Sequence, residues 1–559
     1  MQIVDDVSVD RYELLGKGLF PETLPPCFEA SDFKRALRGI TPLLRERRFR
    51  KRSSELIAYN GTKHDGSRRQ FGTPNPVQYF HVCEFIADNW DVIDAQIGSS
   101  PFVVSRPEIA PESADRPIVI PSLSNLSNEA SKKLRYAPII VRADVSQFFP
   151  SIYTHVIPWV AHSRDAAKAD PDPASKEVYF NSLDKFIQGC QLSETRGIAI
   201  GPDAFRIVAE FIASEIDKQI HARMAGRLIG AARHVDDFFI GVMEEADARF
   251  ALSVVRECLA EFRLQLNDSK TKISNGLEPL NEVWAQRLRR KCRDIRWQTH
   301  QHHKDDLALE LLNFACDLAT EQKSESAVKI VLRALDESKI YSQTSRWKLL
   351  EPYLQRICLH HPHSIDYIFL LVIKRVSSDL EIDKAGWKEV VGALVERNFA
   401  LGHDHEIVWA VWLALTAKLE LSDDEVRKFS ELQNQYVNCM LIWSFQNSWI
   451  AHKPAIRFGG RISSEGGRWL EGLVARSTGY VRSRFSGAFS EEFEHLAKRK
   501  IVLVDLAAHL KEVKPITVSA ISRTRYGYDS DEEDDDPWGV GHYRDDLDDL
   551  LADIPDFDD

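Results

Sequence analysis

Cysteine pairs, membrane-length apolar runs and regular repeats are all missing from this chain. Its eight cysteines stand at 27, 83, 190, 258, 292, 316, 358 and 439, and none forms a C-x-x-C pair. That spacing signals neither a zinc knuckle nor a disulfide framework, and it points to a reducing cytoplasm. Residues 1–6 carry neither the basic region nor the apolar core of a signal peptide. No run reaches the roughly eighteen apolar residues of a membrane span, so no membrane partner is expected. No strict period marks a repeat array.

The chain has 559 residues, 44% hydrophobic and 28% charged, with a net charge of −12. That length sets a prior of about two to four domains, mostly globular. Residues 529–559 hold fifteen acids and one arginine, so −14 of the charge lies there and the other 528 residues carry +2. The body is near neutral and has basic clusters such as Arg45–Arg52, which leaves nucleic-acid partners open. A tail so charged and so poor in aliphatics does not fold alone. It either solubilises the chain or mimics nucleic acid in a basic cleft.

Residues 1–50 contain prolines that imply an extended stretch, and a helix is expected over 77–93. Residues 100–135 are rich in Pro and Ser and read as a surface excursion. Ala137-Pro138-Ile139-Ile140-Val141-Arg142-Ala143-Asp144 reads as a buried strand ending in an acid. Ser151 suits the N-cap of the helix that follows. Arg196-Gly197 through Gly201-Pro202 is a glycine-flanked turn before a helix with Phe205, Val208, Ile212 and Ile216 on one face. Two β-prone runs then flank Asp236-Asp237, which predicts a hairpin with two acids at its tip. A helix over about 246–262 leads to Asn267-Asp268-Ser269-Lys270. From 304 to 445 strand signals nearly vanish, and Val328/Val331/Leu332/Leu335 and Val408/Val411/Trp412/Leu415 mark amphipathic helices. Stacked helix pairs or a bundle are expected there.

Two adjacent carboxylates between apolar strands need a cation to offset repulsion and desolvation. Asp144 supplies a third acid. A strand-end acid beside an acid pair suits phosphoryl transfer by two Mg²⁺ ions about 3.5–4 Å apart, with Mn²⁺ as a substitute.

These segments resemble a known family. Asp144-Val145-Ser146-Gln147-Phe148-Phe149 is similar to motif A of reverse transcriptases. Arg196–Pro202 is similar to motif B, His234-Val235-Asp236-Asp237 to motif C, and Asn267-Asp268-Ser269-Lys270-Thr271 to motif D. Pro150-Ser151-Ile152-Tyr153-Thr154-His155-Val156-Ile157-Pro158-Trp159 resembles the bacterial abortive-infection reverse transcriptases of the AbiK and AbiA type. Arg68-Arg69-Gln70-Phe71 looks like their fingers. The resemblance covers about 65–280.

The resemblance implies an α+β right-hand polymerase followed by an all-α domain, HEAT-like or a bundle, and the disordered tail. The expected divisions are 1–130 (N-terminal segment and fingers), 131–285 (palm), 286–520 (helical domain) and 521–559 (tail). It implies that Asp144, Asp236 and Asp237 bind metal, with the Val145 carbonyl as a further ligand. Phe149 would exclude a ribose 2′-OH and so favour dNTPs. Gly197 and Gly201 would let backbone approach the nascent pair, Lys270 would serve the leaving pyrophosphate, and Arg68 and Arg69 would grip the triphosphate. His234 replaces the usual aromatic of motif C, and Arg196 replaces the usual Gln of motif B. Arg196 would grip phosphate better than it would read a template base. The family implies anti-phage defence by DNA synthesis in the bacterial cytoplasm, with a single-stranded DNA product, covalently attached where a protein tyrosine primes it, and a homo-oligomer. Candidate primers are Tyr12, Tyr59, Tyr526 and Tyr528.

Alternatives remain at this stage. One is cDNA synthesis templated by a non-coding RNA; another is a non-catalytic RNA-binding scaffold of the same shape. Arg397-Asn398 with His403 matches a ribonuclease pattern, although a helix end is the better reading. The histidines at 300, 302, 303, 360, 361 and 363 lack the Cys or acid spacing of a metal site.

Overall fold

The two runs that flank Asp236 and Asp237 do form strands, and they set the architecture. The computed structural model describes residues 9–507 except 31, 112–113, 122, 279, 281, 298–299 and 344–345. A first hairpin, β1 (Ile57–Thr62) and β2 (Arg68–Thr73), precedes the helix α1 (Pro76–Asp88). The helix expected over 77–93 breaks at Asn89, and a second helix covers Trp90–Gly98. The proline-bearing N-terminal stretch is extended only in part, with short helices at Arg11–Gly16, Phe33–Arg38 and Thr41–Arg47.

The region holding the acids contains α2 (Leu123–Leu134), β3 (Ile139–Asp144), α3 (Phe148–Ser151), α4 (Val156–His162), α5 (Arg164–Ala169), α6 (Asn181–Gly189), α7 (Asp203–Arg223), β4 (Leu228–His234), β5 (Asp237–Val242), α8 (Glu245–Glu261) and β6 (Lys272–Asn275). The four strands form one antiparallel sheet in the order β4-β5-β3-β6. Side chains alternate between its faces. Val141 and Ala143 pair with Ile240 and Phe238 on the buried face, and α8 packs against β3 and β5. On the opposite face Arg142 lies over the Phe239 ring at 5.6 Å, and one pair further along stand Asp144 and Asp237. Ser151 ends α3 rather than capping the next helix; His155 holds the N-cap position of α4. Residues 100–135 are no mere surface excursion. They contain α2, and Phe102–Ser105 run beside β4, with Arg233 N donating to Phe102 O (2.8 Å) and Val104 N to Arg233 O (3.0 Å).

Beyond the sheet come α9 (Val283–Trp297), α10 (Gln301–Gln322), α11 (Ser326–Glu337), α12 (Trp347–His360), α13 (Ile365–Ser377), α14 (Lys384–Phe399), α15 (Asp404–Thr416), α16 (Asp423–Glu431) and α17 (Gln435–Gln446). Val328, Val331, Leu332 and Leu335 of α11 are buried, as their spacing predicts. α15 is buried from His405 to Thr416, well beyond its expected stripe, because α13, α14, α17 and β1 all touch it. The all-α expectation needs one correction. β7 (Arg461–Ser463) and β8 (Arg484–Ser486) pair in parallel around α18 (Trp469–Ser477), before α19 (Ser490–Lys498).

Polar side chains of this helical part grip the first hairpin. Arg68 donates to Glu406 of α15 through both guanidinium arms (2.7 and 3.0 Å), and Thr62 Oγ1 donates to the same carboxylate (2.8 Å). This overturns the expectation that Arg68 grips a triphosphate: adjacent strand residues face opposite ways, and Arg68 is the one turned to α15. The basic cluster at 45–52 is likewise used in the fold, with Arg47 and Arg52 paired to Glu492 of α19 and Arg45 to Glu84 of α1. Glu406 is 1% exposed, so removing its partner leaves a buried charge. Arg68→Ala should therefore lower unfolding free energy by about 3 kcal/mol, while Arg69→Ala leaves it unchanged; chemical denaturation of the two variants checks this.

Candidate metal and nucleotide site

The site begins with a two-residue hairpin turn. His234 pairs with Asp237, so Val235 and Asp236 form the tip between β4 and β5. Val235 takes φ 54°, a position such turns usually give to glycine. A β-branched residue there stores strain of about 1–3 kcal/mol. Three hydrogen bonds hold it. Val235 N donates to Ser105 Oγ (3.0 Å), Arg233 Nη1 donates to Val235 O (2.7 Å), and Val145 N donates to Asp236 O (3.1 Å).

Arg233 itself is fully buried and paired with Glu210 and Asp217, both at 2.9 Å. Those two acids lie seven residues, two helical turns, apart on α7 and so share a face. Glu210 also accepts from Ser105 Oγ at 3.2 Å, and Asp217 from Ser100 Oγ at 2.5 Å. The tip is thus fastened to α7 and to the 100–105 segment by one buried charged network.

On this frame Asp144, Asp236 and Asp237 converge, each with a carboxylate oxygen within 4.8 Å of the others. Asp144 closes the set because β3 pairs it directly with Asp237. Asn267 Nδ2 donates to Asp144 Oδ2 (2.7 Å) and Asn267 N to Asp144 O (2.7 Å). Lys270 Nζ lies 3.4 Å from Asp144 Oδ1, on a side chain that is 66% exposed. Burial, then Asp236 and Asp144, push Asp237 up to about 7, with Lys270 offsetting part of this. Burial and Asp144 also raise Asp236, against Arg69 and Lys270. Three acids this close ionise together only at a cost that a cation would offset, so the donor set fits a hard divalent ion bound by oxygen.

The other expected site residues divide. Arg69 is exposed and lowers Asp236 electrostatically, while Arg68 is paired with Glu406. Phe149 is half-buried, edge-on to Phe148 at 5.6 Å. Its carbonyl accepts from Ile198 N (3.0 Å), and Gly197 N donates to Ile152 O (2.7 Å), which straps residues 196–201 to α3. Gly197 (φ 85°) and Gly201 (φ 124°) have no room for a Cβ, which would meet Pro150 O at 3.0 Å and Pro21 Cγ at 2.8 Å. Arg196 is exposed on this strap. Burial, with Arg233 and Arg206 nearby, holds His234 down at about 4, so it is neutral at pH 7.

Among the primer candidates, Tyr59 is fully buried, its hydroxyl bound to Thr23 O (3.1 Å) and His405 Nδ1 (2.8 Å). That excludes a mobile primer role in this fold. Tyr12 OH pairs with Thr41 Oγ1 at 3.0 Å, and Tyr526 and Tyr528 lie outside the described residues, as does the acidic tail. Arg397 donates to Leu359 O (2.9 Å) and His403 Nδ1 meets Asn398 Oδ1 (3.1 Å) around Gly402 at φ 63°, a helix end. Sequence reading assigned no role to Ser105, Arg233 or Asn267. The one available signal was Arg233, a charge on the core-facing side of an apolar strand.

No family model matches the sequence, and no curated protein matches it. Among solved structures the chain is similar to telomerase from Candida albicans, determined with the TWJ fragment of telomeric RNA. The identity is 10%, 68% of each chain is covered, and the TM-score is 0.29. A likeness at that level carries no argument about chemistry.

Two outcomes follow from the acid site. Ser105→Ala removes one hydrogen bond from a strained turn, worth about 1 kcal/mol, so Mn²⁺ affinity should weaken about fivefold; Val235→Gly in the same chain should restore it by relieving strain, as titration by electron paramagnetic resonance would show. The raised Asp237 stabilises the metal-free fold in its protonated form. That contribution is full at low pH and is lost as pH rises through about 7. Metal-free Tm should fall across that window, and the Mg²⁺-induced rise in Tm should be small at pH 5.5 and larger at pH 8. Asp237→Asn should flatten both trends in differential scanning fluorimetry.

Proposed function

We propose that this chain is a metal-dependent DNA polymerase of the reverse-transcriptase type, acting in anti-phage defence. The observation that carries the reading is the convergence of Asp144, Asp236 and Asp237 within 4.8 Å on one face of an antiparallel sheet. The order of the parts along the chain supports it: strand-end acid, glycine strap, hairpin acids, then Lys270. The defence setting rests on the resemblance of Pro150–Trp159 to the abortive-infection enzymes.

In this reading the three aspartates hold two Mg²⁺ ions, which supply the charge that activates an attacking hydroxyl and stabilises the leaving pyrophosphate. Arg69 neutralises the incoming triphosphate, and Lys270 meets the departing pyrophosphate on its exposed stem. Phe149 stands five residues after Asp144, where its ring excludes a 2′-hydroxyl and selects dNTPs. Gly197 and Gly201 keep the strap low beneath the nascent pair. Arg196, exposed where other members carry glutamine, favours phosphate contact over base reading and supports template-independent synthesis. The product is single-stranded DNA, and the primer is a tyrosine other than Tyr59 or a supplied nucleic-acid end.

Purified protein given Mg²⁺ and labelled dNTPs, with and without added primer and RNA, should incorporate label. Asp236→Ala and Asp237→Ala should each reduce incorporation to background while keeping the far-UV spectrum. Unimpaired incorporation by either variant would overturn the reading.

A further inference from the structure

Pro150–Trp159 carries the sharpest family resemblance, and none of its residues belongs to the acid cluster. They build a second cavity of ≈ 500 Å³ between α4, α5 and α6. Tyr153, His155, Trp159, Lys168, Asp184 and Lys185 line it. That volume falls in the range of small-molecule sites, about 300–1,000 Å³, and takes a single nucleotide.

The lining combines rings with cations. The Tyr153 ring lies 4.8 Å from His155 and 5.9 Å from Trp159, and both stand edge-on to it. Arg164 covers one face of Trp159 at 4.9 Å. His155 Nδ1 meets the buried Asp184 carboxylate at 2.5 Å, and Gln188 donates to the other oxygen at 2.7 Å. The hydrogen bond that its imidazole makes to the Asp184 carboxylate raises His155 against partial burial, which favours its cation. Asp184 is therefore committed to His155 and offers no free charge to a ligand. Lys168 and Lys185 make no ion pair among the described residues. Asp170 and Asp172 stand on the adjoining loop and accept its backbone N–H groups (3.2 and 3.0 Å). They repel anions from that rim, so a phosphate belongs on the side of His155 and Lys185.

The cavity is coupled to the glycine strap by backbone. Thr154 N donates to Thr195 O (2.8 Å), Tyr153 pairs with Arg196, and Gly197 follows with its bond to Ile152 O. One edge of residues 150–155 therefore holds the strap while side chains of the same stretch line the cavity.

We propose that this cavity binds one nucleotide of a single-stranded polynucleotide, its base against Tyr153 and Trp159 and its phosphate on His155 and Lys185. Aromatic walls accept any base, and cations at one rim accept the backbone. Whether the strand is product or template rests on the polymerase reading; the binding itself does not.

The test is fluorescence anisotropy of labelled (dT)15 and (U)15 on the full chain, without Mg²⁺ or dNTPs. Removing the stack with Trp159→Ala, or the exposed charge with Lys168→Glu plus Lys185→Glu, should raise Kd about tenfold or more. Lys498→Glu, an exposed lysine on α19, should change it less than twofold. Thermal melts confirm that each variant folds, and the lysine pair keeps the test sound should Trp159→Ala unfold. Pocket-dependent binding of either polymer supports the site, and the tighter one names the strand. No binding by the unmodified chain, or equal losses in the lysine pair and in Lys498→Glu, overturns it. A chain that binds through this pocket yet incorporates no dNTP would defeat the polymerase reading alone.

Discussion

Three carboxylates held against their own repulsion are the constraint on which the rest of this structure depends. Each feature around them raises the cost of moving apart. The β3–β5 register fixes Asp144 opposite Asp237, so slipping by one residue would turn one of them to the other face of the sheet. The turn fixes Asp236 through a strained Val235. Strain alone would relax, and the buried Arg233 prevents it, because one arginine ties the Val235 carbonyl to two acids on α7. An ion network with no solvent access is poor as a source of net stability but strongly resists loss of any one member. That suits a scaffold whose task is to hold like charges together.

The same logic explains why the helical half is not a loosely tethered appendage. Its buried apolar residues join those of the N-terminal part in one continuous core. Polar contacts then set the register between them: Arg68 and Thr62 to Glu406, Tyr59 to His405, Thr73 to Tyr436, and Trp469 to Glu55 O. The β1–β2 hairpin lies against residue 200 on one side, through the Phe71–Ile200 pairing, and against α15 on the other. The helical half thereby fixes Arg68, and with it the strand that carries Arg69.

What the sequence made legible follows from the range of the signals. The acid strand, the hairpin and the helices around them are local patterns of two- and 3.6-residue period, and those patterns survive into the fold. Asp144 was legible because an acid ending an apolar strand has few structural uses. Arg68 was misread because a pair of adjacent arginines in a β-run must split between faces, and only tertiary packing decides which one meets the ligand side. Residues 100–105 were misread because Pro and Ser mark loops without saying whether a loop is buried; here Ser105 is fully buried and bonds the strained turn. Tyr59 stood in a polar context in sequence, yet a helix some 345 residues later covers it. Short parallel strands at 461–463 and 484–486 escaped because three residues carry no usable period.

The partners of Asp144 differ in how firmly they hold it. Asn267 bonds both its carboxylate and its backbone carbonyl, so Asp144 is fixed in place by a neutral group. Lys270, by contrast, meets it at 3.4 Å from a largely exposed stem, a contact weak enough to exchange. A lysine so placed offsets the carboxylates while they share too much negative charge, and it contributes to keeping Asp237 from rising further. Divalent charge at the same carboxylates would remove that demand and would free the ammonium from Asp144. Fixed asparagine and exchangeable lysine, three residues apart on one turn, thus separate positioning the Asp144 carboxylate from offsetting its charge.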